Sequence, residues 1–156
     1  MIYSRSAEYA IRALIPLAQL PTGEFALVKT LAAETGIPSH FLAKILQDLA
    51  RLGVLKSTKG PHGGFRLNQP PKEITMLRIV EAMDGAGRYD GCIGGGAECN
   101  DRVACAMHDG WMALRSRIMD YLGGTSVADL AKALGEKRRV VASRGRRGSR
   151  KSAGRA

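Results

Sequence analysis

Aromatic residues are scarce in this sequence, at 5 % of its 156 residues, and cysteine occurs only three times. Aliphatic side chains must therefore supply most of the core. No apolar run is long enough to span a bilayer, and charged residues interrupt the fairly apolar first twenty residues, so no secretory signal is predicted. We therefore expect a cytoplasmic protein, in which thiols stay reduced and serve as ligands or reactive groups rather than as disulfides.

Negative charge is also sparse in parts of the chain, and the net charge of +10 is unevenly spread. Residues 1–72 carry nine basic and four acidic side chains, whereas residues 73–135 carry six and nine. Residues 136–156 carry nine basic side chains and one acid. This distribution predicts that a polyanion binds to residues 1–72 and that the basic tail, residues 136–156, assists. The tail is rich in Gly and Ser and lacks periodicity, which predicts disorder.

Hydrophobic periodicity predicts a mainly helical fold with one small β-hairpin. Helices are expected over residues 4–20, 26–35 and 39–52, with Ser39 as the N-cap of the third. The tight turn at 36–38 between two short helices is typical of a helix-turn-helix, and the hairpin predicted over 54–68 lies where a wing would sit.

The exposed face of the third helix and the predicted wing supply candidate DNA contacts. The second helix of a helix-turn-helix enters the major groove, and a basic wing loop can meet the minor groove. With one residue from the first helix, the predicted DNA-binding set is Arg5, Ser39, His40, Lys44, Gln47, Lys59 and His62.

The second half of the chain predicts helices over 75–84 and 106–122, followed by a short helix before the tail. In the long helix, large apolar residues recur at alternating spacings of four and three, which favours packing on a second helix in a homodimer. The same seam is also compatible with capping its own domain. Its residues are Met107, Trp111, Leu114, Ile118 and Tyr121. We therefore predict three segments: a winged helix-turn-helix over 1–72, a cluster-binding loop with dimerisation helices over 73–135, and the tail over 136–156.

All three cysteines lie in one glycine-rich stretch, CIGGGAECNDRVACAMHDGW, at residues 92–111. The gaps between them are wider than those of most structural zinc sites, which suits an iron–sulfur cluster, and glycines let backbone N–H groups approach its sulfurs. His108 follows the last cysteine by three residues and is a candidate fourth ligand. The thiols could instead be unligated. A thiol enzyme using Cys105, His108 and Asp109 is disfavoured, because residues so close on one helix rarely give attack geometry.

Several of these stretches together resemble a bacterial family of winged-helix repressors, of the IscR, NsrR and RirA type, that sense iron–sulfur status, nitric oxide or iron. The resemblance covers residues 1 to about 134 and rests on four stretches: SRSAEYAIRAL, GIPSHFLAKILQDLARLGVL, KGPHGGFRL and the three-cysteine loop before the long helix. It implies a homodimer built on the long helices and a palindromic DNA target.

The resemblance also implies a ligand set. The family's cluster cysteines correspond to Cys92, Cys99 and Cys105, and the fourth ligand corresponds to His108 in one branch. In another branch it is a carboxylate from the partner subunit's first helix, at the position of Glu8 here. A two-iron cluster is favoured over a four-iron one because His108 is local to the loop. This chain departs from the best-known members in a longer first cysteine gap, in Ala43 where they have an acid, and in Lys59 where they have arginine.

We therefore predict a DNA-binding transcriptional regulator, acting as a repressor, that senses iron–sulfur, iron, nitric oxide or redox status through a bound cluster. Its expected partners are palindromic double-stranded DNA and a second copy of the chain, with no membrane and no small-molecule substrate, and it is not expected to be an enzyme. One alternative is a winged-helix regulator whose cysteines bind zinc or nothing and which responds to a protein or metabolite. Another is an RNA-binding protein, disfavoured because few aromatic platforms are present.

Overall fold

A computed structural model describes residues 2–61, 63–96, 99–102 and 105–152, with side chains up to residue 142. Six helices and one hairpin follow one another in this part of the chain. The elements are α1 (Arg5–Leu17), α2 (Val28–Thr35), α3 (Ser39–Arg51), β1 (Leu55–Thr58), β2 (Gly64–Leu67), a 3-10 turn (Pro71–Glu73), α4 (Met76–Asp84), α5 (His108–Gly124) and α6 (Val127–Ser152). The predicted mainly helical fold with a hairpin wing is confirmed.

Helix α1 is the centre of the molecule because one side of it is almost entirely apolar and packs against α3, α4 and α6. The Ser4 hydroxyl caps it by accepting a hydrogen bond from the Ala7 N–H at 3.1 Å. Pro16 lies near the C-terminal end of the helix and is itself buried. The core is made mostly of aliphatic side chains, with Phe65 and Tyr89 among them, and it extends from residue 7 to residue 127, on both sides of the predicted boundary at residue 72.

The turn between α2 and α3 depends on Gly36, which ends α2 with φ at +68°, a conformation that suits glycine. Helix α3 then buries one stripe, formed by Leu42, Ile45, Leu46 and Leu49. The prediction that Ser39 is the N-cap is wrong. Pro38 occupies the cap position, because its extended backbone precedes the first helical residue, and no side chain caps α3.

The wing is a two-stranded antiparallel hairpin in which Leu55 pairs with Leu67 and Thr58 with Gly64. It is joined to the rest of the fold by a bridge in which Ala26 and Phe65 exchange two backbone hydrogen bonds of 2.9 Å each. Gly64 has φ at +131°, and a Cβ atom there would lie 2.2 Å from the Ala26 carbonyl oxygen. Only glycine fits this close approach of two backbones.

Helix α6 differs from the sequence prediction, which placed a disordered tail after residue 135. The helix continues to Ser152. It begins in a reciprocal cap, because the Ser126 N–H donates to the Asp129 carboxylate at 2.9 Å and the Asp129 N–H donates to the Ser126 hydroxyl at 3.2 Å. Its first turns pack against α1, and Lys, Arg and Ala are good helix formers, so a helix nucleated there propagates into the basic segment.

None of the helices in the described ranges combines the length and apolarity needed to cross a membrane.

Candidate iron–sulfur site and nucleic-acid interface

The cysteine loop links α4 to α5 and brings its sulfurs towards one another. Cys92, Cys99 and Cys105 are partly exposed and are free thiols. A Cβ atom at Gly94 would lie 3.6 Å from the Cys92 sulfur and 3.7 Å from the Cys105 sulfur. Both sulfurs therefore lie beside Gly94, together with the end of the Met107 side chain, which is 2.9 Å from the same Cβ position.

The local environment shifts the pKa values of two of the loop's thiols in opposite directions. The backbone N–H groups of Gly96 and Gly94 lower the pKa of Cys92, because they stabilise its thiolate by hydrogen bonding. Burial raises the pKa of Cys99, and the neighbouring Cys92 adds to this effect. Three sulfurs that interact electrostatically in this way are a set that a cation would stabilise, since metal ions bind thiolates rather than thiols.

His108 is turned towards the cysteines from the first residue of α5. Its Nδ1 lies 3.6 Å from the Cys99 sulfur, and its Nε2 lies 2.9 Å from a carboxylate oxygen of Asp101. The His108 side chain is only 11 % exposed. A carboxylate on one ring nitrogen fixes the orientation of the ring and leaves the other nitrogen to face a ligand, as in many metal sites.

The donor set fits a cluster better than a single ion. Across residues 2–61, 63–96, 99–102 and 105–152, no three His, Cys, Asp or Glu side chains are grouped to hold one metal ion. The Cys92 sulfur is instead within hydrogen-bonding reach of both Cys105 and Cys99, and Cys99 in turn lies beside His108. Three neighbouring thiols with an imidazole beside one of them supply the four protein ligands that an iron–sulfur cluster takes.

Glu8 lies elsewhere, on the first turn of α1. It forms an ion pair with Arg12 at 3.2 Å, and within this single chain its side chain makes no hydrogen bond to the described part of the cysteine loop. Arg12 also donates to the backbone carbonyl of Thr35, so it links α1 to the end of α2.

A polar network that no sequence pattern indicates links the start of the cysteine loop to the start of α1. Asp84, whose side chain is 2 % exposed, accepts from the Ser4 backbone N–H at 2.9 Å and from the Ser4 hydroxyl. It also pairs with Arg88 at 3.1 Å. Arg88 and Tyr89 both donate to the Ile2 carbonyl, at 3.1 and 2.8 Å. Partners this far apart in sequence leave no pattern that periodicity can detect.

Helix α5 holds the same end of the loop from the other side. The Trp111 indole N–H donates to the Gly91 carbonyl at 3.1 Å, and Arg115 pairs with Asp90. The residues immediately before Cys92 are thus fixed to both α1 and α5.

The predicted DNA-binding side chains that the structure describes are all exposed. His40, Lys44 and Gln47 are exposed on α3, opposite its buried stripe, and Ser39 is exposed at the start of that helix. Lys59 is exposed in the wing loop, and Arg5 is exposed on α1. His62 lies outside the described residues. Arg51, further along α3, is paired with Asp48.

The arrangement of a helix-turn-helix with a hairpin wing defines a winged-helix DNA-binding protein. The chain matches the Rrf2 family, described as iron-dependent transcriptional regulators, over residues 3–133. It belongs to this family, which confirms the predicted family relationship and the prediction that the protein is a transcriptional regulator and not an enzyme.

Individual relatives agree with this assignment. An HTH-type transcriptional regulator of Aquifex aeolicus is 37 % identical over 132 residues, covering 83 % of this chain and 91 % of the relative. The HTH-type transcriptional regulator IscR of Vibrio campbellii is 26 % identical over 132 residues, covering 85 % and 78 %.

Solved structures share the fold. CymR, the global cysteine regulator of B. subtilis, aligns with a TM-score of 0.72 at 24 % identity over 83 % of this chain and 95 % of its own. IscR of T. potens aligns with a TM-score of 0.67 at 22 % identity over 86 % and 88 %.

Proposed function

We propose that this regulator binds an iron–sulfur cluster through Cys92, Cys99, Cys105 and His108 and uses it to sense iron–sulfur, iron, nitric oxide or redox status. The observation that carries the proposal is the arrangement of the cysteine loop, in which the Cys92 and Cys105 sulfurs lie beside Gly94, Cys92 also interacts with Cys99, and His108 faces Cys99. When bound, the cluster supplies a centre whose ligands can be oxidised or exchanged. We favour a two-iron cluster because His108 lies beside the cysteine loop and can supply the fourth ligand from the same chain.

We further propose that the protein acts as a cytoplasmic homodimer on palindromic DNA, as a repressor. The support for a dimer is the outer side of α5, where Met107, Leu114 and Tyr121 recur every seven residues and are each at least half exposed. Apolar residues at this spacing form a seam that a second helix can cover. A two-fold symmetric dimer presents two reading helices and therefore favours a palindromic site.

The Asp84 network supports a route from the loop to the DNA-reading module. Residues 84–91 lead directly into Cys92, and they hold Ile2 and Ser4 at the start of α1. Helix α1 in turn packs on α3. A change in the order of the cysteine loop would therefore reach the reading helix through a short series of contacts, and it would bias two arrangements of the module.

In the branch with Glu8 as fourth ligand, that carboxylate would come from the partner's α1. Substituting His108 and substituting Glu8 should have different effects on the cluster, so the two candidate fourth ligands can be distinguished. We expect His108→Ala, compared with the wild type after anaerobic purification, to change the visible absorption spectrum and to shift DNA affinity. Glu8→Ala should leave the spectrum unchanged, because Glu8 is paired with Arg12.

The opposite result, with the cluster lost in Glu8→Ala and kept in His108→Ala, would assign the fourth ligand to the partner subunit. A colourless protein without iron in the wild type would contradict the cluster itself. It would favour a winged-helix regulator whose cysteines bind zinc or nothing.

A further inference from the structure

One residue on the reading helix is not explained by the fold. Phe41 lies in the first turn of α3 and is 54 % exposed, although it is adjacent to the fully buried Leu42. A single exposed apolar residue is common on protein surfaces and needs no special reason. Phe41 differs from other exposed apolar residues because it lies on α3, the helix proposed to bind DNA.

Phe41 lies on the flank of α3 that faces away from the wing. The wing touches the other flank, where Ser57 borders a groove with Gln47, Ala50 and Arg51. Nine residues separate Phe41 from Ala50, which is two and a half turns, so these two side chains point to opposite sides of the helix. The reading face of α3 therefore has the wing along one edge and an aromatic ring along the other.

The ring of Phe41 is associated with the reading face itself. It packs against the ring of His40 with 4.1 Å between centroids and a tilt of 41°. Lys44 follows three residues later, one turn along the helix, and is exposed. In helix-turn-helix proteins the N-terminal residues of the reading helix are the ones that meet base edges.

The major groove contains one apolar group, the C5-methyl of thymine, and phenylalanine is among the side chains that contact it. We propose that Phe41 is a specificity-determining residue that reads a thymine methyl group at one position in each half-site. This inference rests on the proposed DNA-binding role of α3 and adds the base and the atom that it recognises.

The test uses duplex DNA selected from a random library by the full-length, anaerobically purified protein. Each thymine of the selected site is replaced in turn by deoxyuridine, which removes only the methyl group. In the wild type, one symmetric pair of replacements should weaken binding by about 3- to 10-fold per site, the value of burying one methyl group. In Phe41→Ala, the same replacement should have no effect.

Two controls keep the test specific. Leu27→Ala removes another exposed apolar side chain of the helix-turn-helix, 48 % exposed at the start of α2, and should keep the wild-type response to deoxyuridine. Phe41→Leu keeps an apolar group and should retain part of the response. Because Phe41 is exposed, thermal unfolding should show that Phe41→Ala folds like the wild type.

The inference is overturned if Phe41→Ala keeps the wild-type sensitivity at every thymine, or if it weakens binding to all sequences equally. These results would leave the proposed DNA-binding role of α3 intact. If instead the library yields no enriched sequence, the proposed function fails, and the role of Phe41 fails with it.

Discussion

The two glycine-rich loops of this protein look alike in sequence but use glycine for different purposes. In the wing loop, Gly63 and Gly64 lie against backbone, and a Cβ atom at either would come within 2.4 Å of a carbonyl oxygen. In the cysteine loop, Gly91 and Gly95 have nothing within 4 Å of such an atom. Gly94 faces the two sulfurs and the mobile end of the Met107 side chain.

The difference shows what each loop depends on. In the wing, Gly63 and Gly64 allow two backbone segments to pack closely, and Gly60 is open like the glycines of the cysteine loop, so the contrast concerns Gly63 and Gly64. The cysteine-loop glycines leave room beside thiolate donors, so that loop is suited to a group that the chain does not supply. Substitutions of equal size in the two loops should therefore have different effects: on stability in one and on cluster binding in the other.

The largest effect is expected for Gly64→Ala. The added methyl group would overlap the Ala26 carbonyl in a backbone conformation that alanine rarely adopts. We expect the free energy of unfolding to fall by about 2–4 kcal/mol, as measured by urea denaturation of the full chain. Gly91→Ala is the matched control and should change it by less than about 0.5 kcal/mol. An equal loss of unfolding free energy in the two variants would show that the glycines of the two loops do not differ in their contribution to stability.

The next largest effect is expected on DNA affinity, and the substitutions that cause it should leave cluster binding unchanged. We expect the double substitution of Lys44 and Gln47 to Ala to weaken specific DNA binding by about 1–3 kcal/mol, because both side chains are exposed on the reading helix. Iron content should stay at the wild-type level. Lys132→Ala, which removes an equal charge from α6, should have a smaller effect on sequence preference. Unchanged affinity and preference in the double variant would show that α3 does not read the DNA.

Gly94→Ala changes the cysteine loop, and its main effect should be on cluster binding. The new methyl group would occupy the space between the Cys92 and Cys105 sulfurs, whereas the nearby Met107 side chain can shift at little cost. We expect cluster binding to weaken by about 10-fold while the unfolding free energy hardly changes. Iron content and urea denaturation of one preparation measure both quantities. Full iron retention would contradict the assigned role of the space at Gly94.

The smallest effect is expected for the basic end of α6, which belongs to neither loop. Truncation after Gly135 removes nine basic side chains and one acid. The salt dependence of DNA binding should decrease, because phosphate contacts release counterions, and the ranking of DNA sequences should stay the same. Binding measured over a range of salt concentrations tests this. A changed ranking would mean that the extension contributes to base recognition.

Much of the fold could be predicted because short sequence patterns specify it. The apolar stripe of α3, the Gly36 turn and the wing glycines each leave a signal within a few residues. The sequence predicts Ser39 as the cap of α3 because serine is a good capping residue, but Pro38 precedes it and takes that position. The length of α6 was missed because its glycines and serines suggest disorder, while its capped and packed first turns favour a helix.

The candidate site was less predictable. Cysteine spacing indicated a shared ligand, and His108 was identified by its distance from Cys105 along the chain. The Asp84 network joins residues about eighty positions apart, so no local pattern indicates it. Asp101 is one of several acids in the loop, and only the fold places its carboxylate 2.9 Å from the His108 ring.

The central claim is that the cysteine loop holds an iron–sulfur cluster, and elemental analysis of the anaerobically purified full-length chain tests it most directly. Iron, acid-labile sulfide and zinc are measured per chain together with the visible absorption spectrum. We expect two irons and two sulfides per chain, visible absorption and no zinc, with all of the iron lost in Cys92→Ser. A chain with zinc or no metal, colourless and unaffected by Cys92→Ser, would contradict this claim.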